Sequence, residues 1–314
     1  MGLGVRQVYE KTLDNSNIIG GCNYTFDLSA STDFSIGMVS AAEIDLTTKM
    51  DFTEAQWYIN QPCIYSVKYN NTDEWKQIGT FTITDIEKKD QLTCRFVGYD
   101  NIIKTDKVVD NYVNTLTYPI SLGNFYTGLL SSLGLEWQTA SIVNQTFEVK
   151  NNFEIVDITG RNVLGWIAEV AGGYCYATPE GKIDIKSYGT NSTNLDNTKY
   201  AKFNYGSYLT NKIDQIIVRQ SEDDIGISYP ASGTNTYIIV GNPILLAESE
   251  DEISGALQNI YNEIKDITYT TGNITLYQDF DIDCGEYVNI NSIPVLILNK
   301  KISAQGVELE ATGN

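Results

Sequence analysis

The chain has 314 residues, 42% of them apolar and 19% charged, enough for a real core and, by length, for about two domains. With 40 Asp and Glu against 21 Lys and Arg the formal net charge is −19, and a field of that sign repels nucleic-acid phosphates instead of binding them. Histidine is absent, which removes Ser-His-Asp and Cys-His catalysis, H-E-x-x-H zinc sites and every imidazole acid or base.

Residues 1–112 read as β. Tyr24–Leu28, Ala42–Leu46 and Cys63–Tyr69 alternate apolar and polar side chains, and Asn70-Asn71-Thr72-Asp73 is a turn cluster before Trp75. Phe81–Ile86 and Leu92–Phe96 alternate again around a polar tip, Glu87-Lys88-Lys89-Asp90. Period-two runs joined by short polar turns predict an antiparallel sheet with one wet face, a small barrel or sandwich.

Residues 113–200 change character. Leu122, Phe125, Tyr126, Leu129, Leu130 and Leu133 fall on one helical face, with Gly134 as the stop. A second helix is predicted from Thr159, carrying Val163, Leu164, Ile167, Ala168 and Val170 and ending at Gly172-Gly173. A hairpin follows, Tyr174–Ala177 and Lys182–Lys186, with Thr178-Pro179-Glu180-Gly181 as a type I turn. Together these make an α+β module, and the polar stretch 191–197 reads as a loop or linker.

Residues 201–314 return to β. Ile213–Val218 and Thr236–Val240 read as strands. Ser249-Glu250-Asp251-Glu252 is a capping box opening a helix with Ile253, Ala256, Leu257, Ile260 and Ile264 on one face. Strands resume at Ile274–Tyr277, Glu286–Ile290, Val295–Leu298 and Val307–Ala311. This last block echoes the first: Cys63–Val67, then Lys88-Lys89, then Leu92–Cys94, against Glu286–Ile290, then Lys300-Lys301, then Val307–Ala311. Two copies of one small β domain, or the generic likeness of any two hairpins, would both give that echo.

The five cysteines, Cys22, Cys63, Cys94, Cys175 and Cys284, are scattered and odd in number, so buried free thiols are expected in place of a disulfide framework or zinc site. The opening Met1-Gly2-Leu3-Gly4-Val5-Arg6 has no basic-then-apolar signal region and carries Arg6 where myristoylation wants Ser or Thr. No apolar run reaches the roughly eighteen residues of a membrane span, so synthesis in the cytoplasm is expected.

Candidate sites are sparse. Asp279-Phe280-Asp281-Ile282-Asp283-Cys284-Gly285-Glu286 looks like a calcium loop, but an EF-hand needs Gly and Glu where Cys284 and Ile290 stand. A half-buried strand entering a Gly285 turn explains it better. Glu136, Glu154, Glu169 and Glu180 leave a glycosidase-type carboxylate pair open, although a solvated surface accounts for all four. Trp57, Trp75 and Trp137 have the shape to stack on sugars, whereas Trp166 lies among core positions of a helix. Gly20-Gly21 and Gly172-Gly173 lack phosphate-loop spacing. No catalytic, metal or cofactor-binding residue is predicted.

Several segments, in order, resemble one family. Ser35-Ile36-Gly37-Met38-Val39-Ser40-Ala41-Ala42-Glu43-Ile44-Asp45-Leu46 resembles the opening of phage tail baseplate hub proteins, also found in tail-like bacteriocins. Gln77-Ile78-Gly79-Thr80-Phe81-Thr82-Ile83-Thr84 and Tyr99-Asp100-Asn101-Ile102-Ile103-Lys104-Thr105-Asp106 resemble the elements that follow. Residues 159–173, opening Thr159-Gly160-Arg161, are similar to the family's "T-y-R-e-a-L-g-y-I-A-e-l-a-G-g", and Gly241-Asn242-Pro243-Ile244-Leu245-Leu246 to its "N-P-l-l". The chain departs from the family's "l-e-p-G-D" at Asp281–Glu286. With no extension after Asn314 in the sequence, the peptidoglycan hydrolase that some hubs carry is not expected.

The resemblance implies an α+β, mainly β fold. Two tube-like antiparallel β-barrel domains, 1–112 and 201–314 (the second with an inserted helix near 249–265), would flank an α+β module, 113–200. It implies a non-enzymatic, cofactor-free homotrimer in the baseplate of a virion or tail-like particle. Such a ring adapts the sixfold tail tube to the threefold spike, contacts tube, spike and other baseplate proteins, and forms part of the channel. Residues 201–314 hold 6 basic and 16 acidic residues and residues 1–112 hold 10 and 16, so an acidic or neutral lumen is expected. Lys88, Lys89, Lys300 and Lys301 would then be hairpin tips turned to acidic partners at the ring edges, unless they are merely solvated. A carboxylate-dependent cell-wall hydrolase of the tail tip and a tail-tip receptor-binding module stay open as alternatives.

Overall fold

The computed structural model describes residues 12–13, 16–29, 34–68, 74–150, 156–221, 223–246, 250–277 and 281–311. The first block holds β1 (Ile18–Asp27), β2 (Glu43–Lys49), a short helix α1 (Phe52–Ala55), β3 (Pro62–Val67), β4 (Lys76–Lys88) and β5 (Thr93–Asp100). As the alternation predicts, Cys22, Tyr24, Phe26, Ile44 and Leu46 are buried while Asn23, Asp45 and Thr47 face outward. β4 is long and its register shifts between Ile83 and Asp85. β3 pairs only with its first part, residues 76–82, and β5 with residues 81–88. The bend lets the sheet curl, so that Tyr24 of β1 meets Tyr65 of β3 and Phe81 of β4 at ring distances of 6.5 and 6.2 Å.

The middle block contains α2 (Asp110–Thr115), β6 (Ile120–Ser121), α3 (Leu122–Ser132), β7 (Glu148–Val149), α4 (Gly160–Val170) and the hairpin β8 (Gly173–Ala177) and β9 (Ile183–Ser187). α3 buries the predicted face and stops at Gly134, whose φ is +69°. α4 is opened by a capping box: the Thr159 hydroxyl accepts from the Asn162 backbone N–H, and the Asn162 side chain accepts from Thr159 N–H. Thr159→Ala removes one of those bonds, and denaturant titration is expected to show a loss of about 1 kcal/mol. An unchanged midpoint would mean the box is not formed in solution.

The last block runs β10 (Ser192–Leu195), β11 (Tyr200–Leu209), β12 (Gln215–Arg219), β13 (Ile227–Tyr229), β14 (Thr236–Val240), α5 (Pro243–Leu246), α6 (Glu250–Ile264), β15 (Thr270–Leu276), β16 (Tyr287–Ile290), β17 (Ile293–Leu296), β18 (Asn299–Ser303) and β19 (Gly306–Ala311). Two expectations fail. The predicted linker contains β10, which pairs in parallel with β16 through Thr193↔Val288 and Leu195↔Ile290; its partner lies far along the chain, so local polarity hid it. Residues 281–286 are not a strand: Ile282 and Cys284 point inward and Asp281 and Asp283 outward, but the segment is irregular up to the Gly285 turn. Ser249 of the second capping box lies outside the described residues.

Nine strands form one sheet in the order β11-β15-β19-β18-β1-β2-β5-β4-β3. The two β blocks are therefore joined edge to edge, through Tyr24↔Ile302, Thr25↔Lys301 and Phe26↔Lys300 of β1 and β18. Each block supplies the same arrangement. Among the strands a block gives to this sheet, taken in chain order, the first pairs with the second, the second with the last, and the last with the one before it: β1-β2-β5-β4 and β11-β15-β19-β18. The sequence echo matches this order only in its later members, β4 and β5 against β18 and β19: Cys63–Val67 lies in β3 of this sheet, whereas Glu286–Ile290 lies in β16, which pairs with β10 and β17 in a separate sheet.

The middle block is pinned beneath the sheet by specific bonds. Gly37 N–H donates to Gly173 O at 2.7 Å and Cys175 N–H to Met38 O at 2.8 Å, adding the 37–39 segment to the β8 edge. A Cβ on Gly37 would press on Gly165 O and the Glu169 side chain, so only glycine lets this segment reach α4. Arg161 pairs with Asp106 at 2.5 Å and donates to Val39 O at 3.1 Å. Tyrosines close the gaps with their hydroxyls satisfied: buried Tyr174 donates to Cys284 O at 2.8 Å and buried Tyr188 to Ser35 O at 2.8 Å, while half-buried Tyr237 accepts from Ile36 N–H at 3.0 Å. The thiols of Cys22, Cys94, Cys175 and Cys284 are free and buried, and Cys63 is half-buried; burial pushes the Cys22 thiol up to about 12, which makes it a poor nucleophile.

Candidate functional site

The carboxylates weighed as catalysts do not converge. Glu136 and Glu180 are exposed, and Glu154 lies outside the described residues. Glu169 is not a solvated surface group, contrary to expectation. It sits in the last turn of α4 with its Oε2 accepting from Asn242 Nδ2 at 2.8 Å, and burial pushes its carboxyl up to about 7. Asn242 itself is 1% exposed, and it also donates to Trp166 O at 3.1 Å and accepts from Ile244 N–H at 3.0 Å, so it ties α5 to α4. The other carboxyl that burial raises to about 7 with little exposure is Asp100, which accepts from Ala42 and Ile102 N–H, both at 2.9 Å. Both acids hold elements in place through these bonds.

Asp279 of the calcium-like segment lies outside the described residues, and the segment's other acids are each taken by a basic side chain. Asp281 pairs with Lys76, Asp283 with Lys300 at 2.7 Å, and Glu286 with Lys186 at 2.9 Å and with Asn191 Nδ2 at 2.7 Å. Among the described residues no three His, Cys, Asp or Glu side chains come together as a metal cage would need. Trp57 and Trp75 are exposed, with the Lys68 ammonium 4.8 Å from the Trp75 ring, while Trp137 and Trp166 pack on the core.

The four lysines separate. Lys88 ends β4 and Lys89 follows it at the tip, paired to Glu87 at 2.7 Å. Lys300 and Lys301 are not a tip. They lie inside β18, and the turn comes later, at Ala304-Gln305. Lys300 takes an inward position two residues before Ile302, is 2% exposed, and runs its stem through the core to reach Asp283. Lys301 points to the opposite face.

That opposite face is polar along both β blocks. On the second block it forms a groove of about 250 Å³ lined by Lys202, Asn204, Asn273, Lys301, Glu308 and Glu310 among others. On the first block it continues through Glu43 and Asp45 of β2, with the Arg95 guanidinium donating to both Asp45 oxygens at 2.8 and 2.7 Å and lying 3.6 Å from Glu87. Acidic side chains outnumber basic ones across it. Among the described residues this face holds ordinary surface side chains, with no nucleophile and base brought together.

The same fold occurs in solved structures. A 43 kDa tail protein of prophage MuSo2 from Shewanella oneidensis aligns over 92% of both chains at 13% identity, with a TM-score of 0.53. A tail protein from Neisseria meningitidis aligns over 94% of this chain and 92% of its own at 10% identity and a TM-score of 0.54. The fold is that of phage tail proteins. It extends to a component of the Escherichia coli type VI secretion system, itself structurally similar to the T4 bacteriophage tail proteins gp27 and gp5, over 95% of this chain and 74% of that one at 8% identity and a TM-score of 0.50. No family model matches the sequence, and no curated protein matches it. This tail-protein fold is mainly β with a small α+β part, and no helix among the described residues is long and apolar enough to cross a membrane.

Sequence reasoning missed Lys300 as an inward side chain and Asn242 as a buried bracket. Both belong to elements whose partners lie far along the chain. The signal that was available is the x-Ile-x-Leu pattern shared by Glu43–Leu46 and Asn273–Leu276, which marks the same strand in the two blocks.

Proposed function

We propose that the chain is a structural hub of a phage or tail-like baseplate, a homotrimeric ring that adapts the sixfold tail tube to the threefold spike. The observation that carries this reading is the sheet built from two blocks of identical strand order. Three such chains present six similar units to a sixfold tube while keeping a threefold axis for a spike. In this reading 1–112 and 201–314 are the two tube-like domains, 113–200 is the module outside them, and tube, spike and other baseplate proteins are the partners. The protein is made in the host cytoplasm and ends in the baseplate.

The polar sheet face becomes part of the channel wall. Its mildly acidic character repels phosphates, so a passing DNA strand finds no row of basic side chains to adhere to. The work is architectural and needs no catalyst: purified protein is expected to leave peptidoglycan intact, and cleavage abolished by a single Glu→Gln change would contradict the reading. Quantitative peptide mass spectrometry of purified particles tests the assembly. One chain per spike chain is expected, and a two-to-one ratio would contradict it.

The ring-edge role narrows to Lys88 and Lys89, since Lys300 is buried and Lys301 lies on the polar face. Reversing Lys88 and Lys89 to Glu is expected to cost tube or spike attachment, increasingly as salt is lowered. Normal assembly of that variant at all ionic strengths would leave these lysines as solvated tips.

A further inference from the structure

We infer that the outer edge of β4, over Asp85–Lys88, pairs antiparallel with β11 of a second copy of this chain, placing Asn204 opposite Asp85, Phe203 opposite Ile86 and Lys202 opposite Glu87. The inference rests on the trimeric reading above and names the seam that closes such a ring.

The template is the joint inside one chain. β18 and β4 hold the same place in the repeat, as do β1 and β11. The x-Ile-x-Leu pattern fixes the register. Leu46 pairs with Phe96, which pairs with Ile86. Leu276 pairs with Val307, which pairs with Ile302. Ile86 therefore stands where Ile302 stands. Likewise Tyr24 pairs with Ile44 and Phe203 with Ile274, so Phe203 stands where Tyr24 stands. Since Tyr24 pairs with Ile302 across the internal joint, Phe203 is matched to Ile86 of a neighbour.

Both edges are open for it. β11 is the last strand at one end of the sheet. At the other end β3 covers only residues 76–82, and Asn60 and Gln61 close off Ile83. Among the described residues no backbone hydrogen bond other than those to β5 and within the tip reaches 84–88. An uncovered strand edge is a template for another strand.

The side chains point the same way. At the internal joint Tyr24 and Phe26 are 8% and 7% exposed, whereas Tyr205, the counterpart of Phe26, is 57% exposed. It stacks on Phe203 at 5.0 Å with its outer side uncovered. On the polar face Lys202 would oppose the Glu87 carboxylate. The contact is head-to-tail, so repeating it does not stop at an isolated pair, and it closes into a ring where the rotation between copies is the threefold one of the reading above.

Opposed residues of an antiparallel pair lie within disulfide reach. Particles carrying Lys202→Cys with Glu87→Cys, mildly oxidised and run on a denaturing gel, are expected to give dithiothreitol-sensitive dimers and trimers. Either change alone should give only monomers. A ladder running to six would keep the seam and overturn the threefold reading. No cross-link in particles that hold three copies would overturn the seam and leave the trimer standing, as would cross-linking of Lys202→Cys to Ile64→Cys, which would put β11 against β3. Should the cysteine pair hinder assembly, charge reversal reads the same contact. Lys202→Glu and Glu87→Lys should each lower particle yield several-fold and recover it together, and failure to recover would overturn the pairing.

Discussion

Gly285→Ala is expected to destabilise the chain by about 2–5 kcal/mol. Gly285 has φ +82°, a conformation that costs a residue with a Cβ roughly 1–2 kcal/mol. A methyl group there would also fall well inside van der Waals contact of the Tyr174 ring, and overpacking of that kind costs about 1–3 kcal/mol more. Tyr174 cannot swing away. It is 1% exposed, its hydroxyl donates to Cys284 O at 2.8 Å, and Tyr188 lies against it at 4.8 Å. The backbone of Gly285 meanwhile joins Gly189 and Ile297, both at 2.7 Å, so strain here loosens the middle block from the second β block. Gly134→Ala is the control, because Gly134 has φ +69° with nothing within 4 Å of the added methyl. Urea titration of the two variants separates backbone strain from the clash, and equal losses would show that Tyr174 does not pack on Gly285 in solution.

Glu169→Gln is expected to stabilise the protein at pH 8 and leave it unchanged at pH 4. Burial holds the Glu169 carboxyl near 7 in the folded chain, against an ordinary value of 4.5. A folded-state value raised in this way gives stability that is fully present below about pH 4.5 and is lost as pH climbs through about 7, because the native state must then carry a poorly hydrated charge. Gln never ionises and can still accept from Asn242. The difference between variant and parent should therefore grow from zero to about 1–3 kcal/mol between pH 4 and pH 8, less than the full shift implies because the side chain is only half-buried. Asp100, also near 7, lends the parent a similar slope that this variant keeps, so the difference curve is the quantity to measure. A flat difference curve would mean that Glu169 is hydrated.

Local structure was legible in the residues and long-range pairing was not. α3 and α4 followed from apolar spacing with Gly134 and Thr159 as punctuation, and β2, β4 and β5 from alternation. Motifs noticed only as resemblance acquire physical reasons. Gly37 must approach Gly165, Asp100 caps the turn after β5, Asp106 pairs with Arg161, and Asn242 brackets α4 to α5. What stayed hidden depends on partners distant in the chain. Nothing near Tyr24 announces Ile302. β10 is a strand because β16 lies beside it. The two lysines of β18 imitate a polar tip, although the stem of Lys300 is long enough to be buried while its ammonium reaches Asp283. The candidate site was the least legible part, since a polar sheet face uses ordinary surface residues and carries no motif.

A reconstruction of the assembled tail tip without imposed symmetry tests the central claim most directly. Three copies at the tube end are expected, their nine-stranded sheets forming one continuous wall with Asp45, Arg95, Lys301 and Glu308 turned to the channel and α3 and α4 outside it. One or six copies, or a ring with those side chains turned away from the channel, would contradict the account.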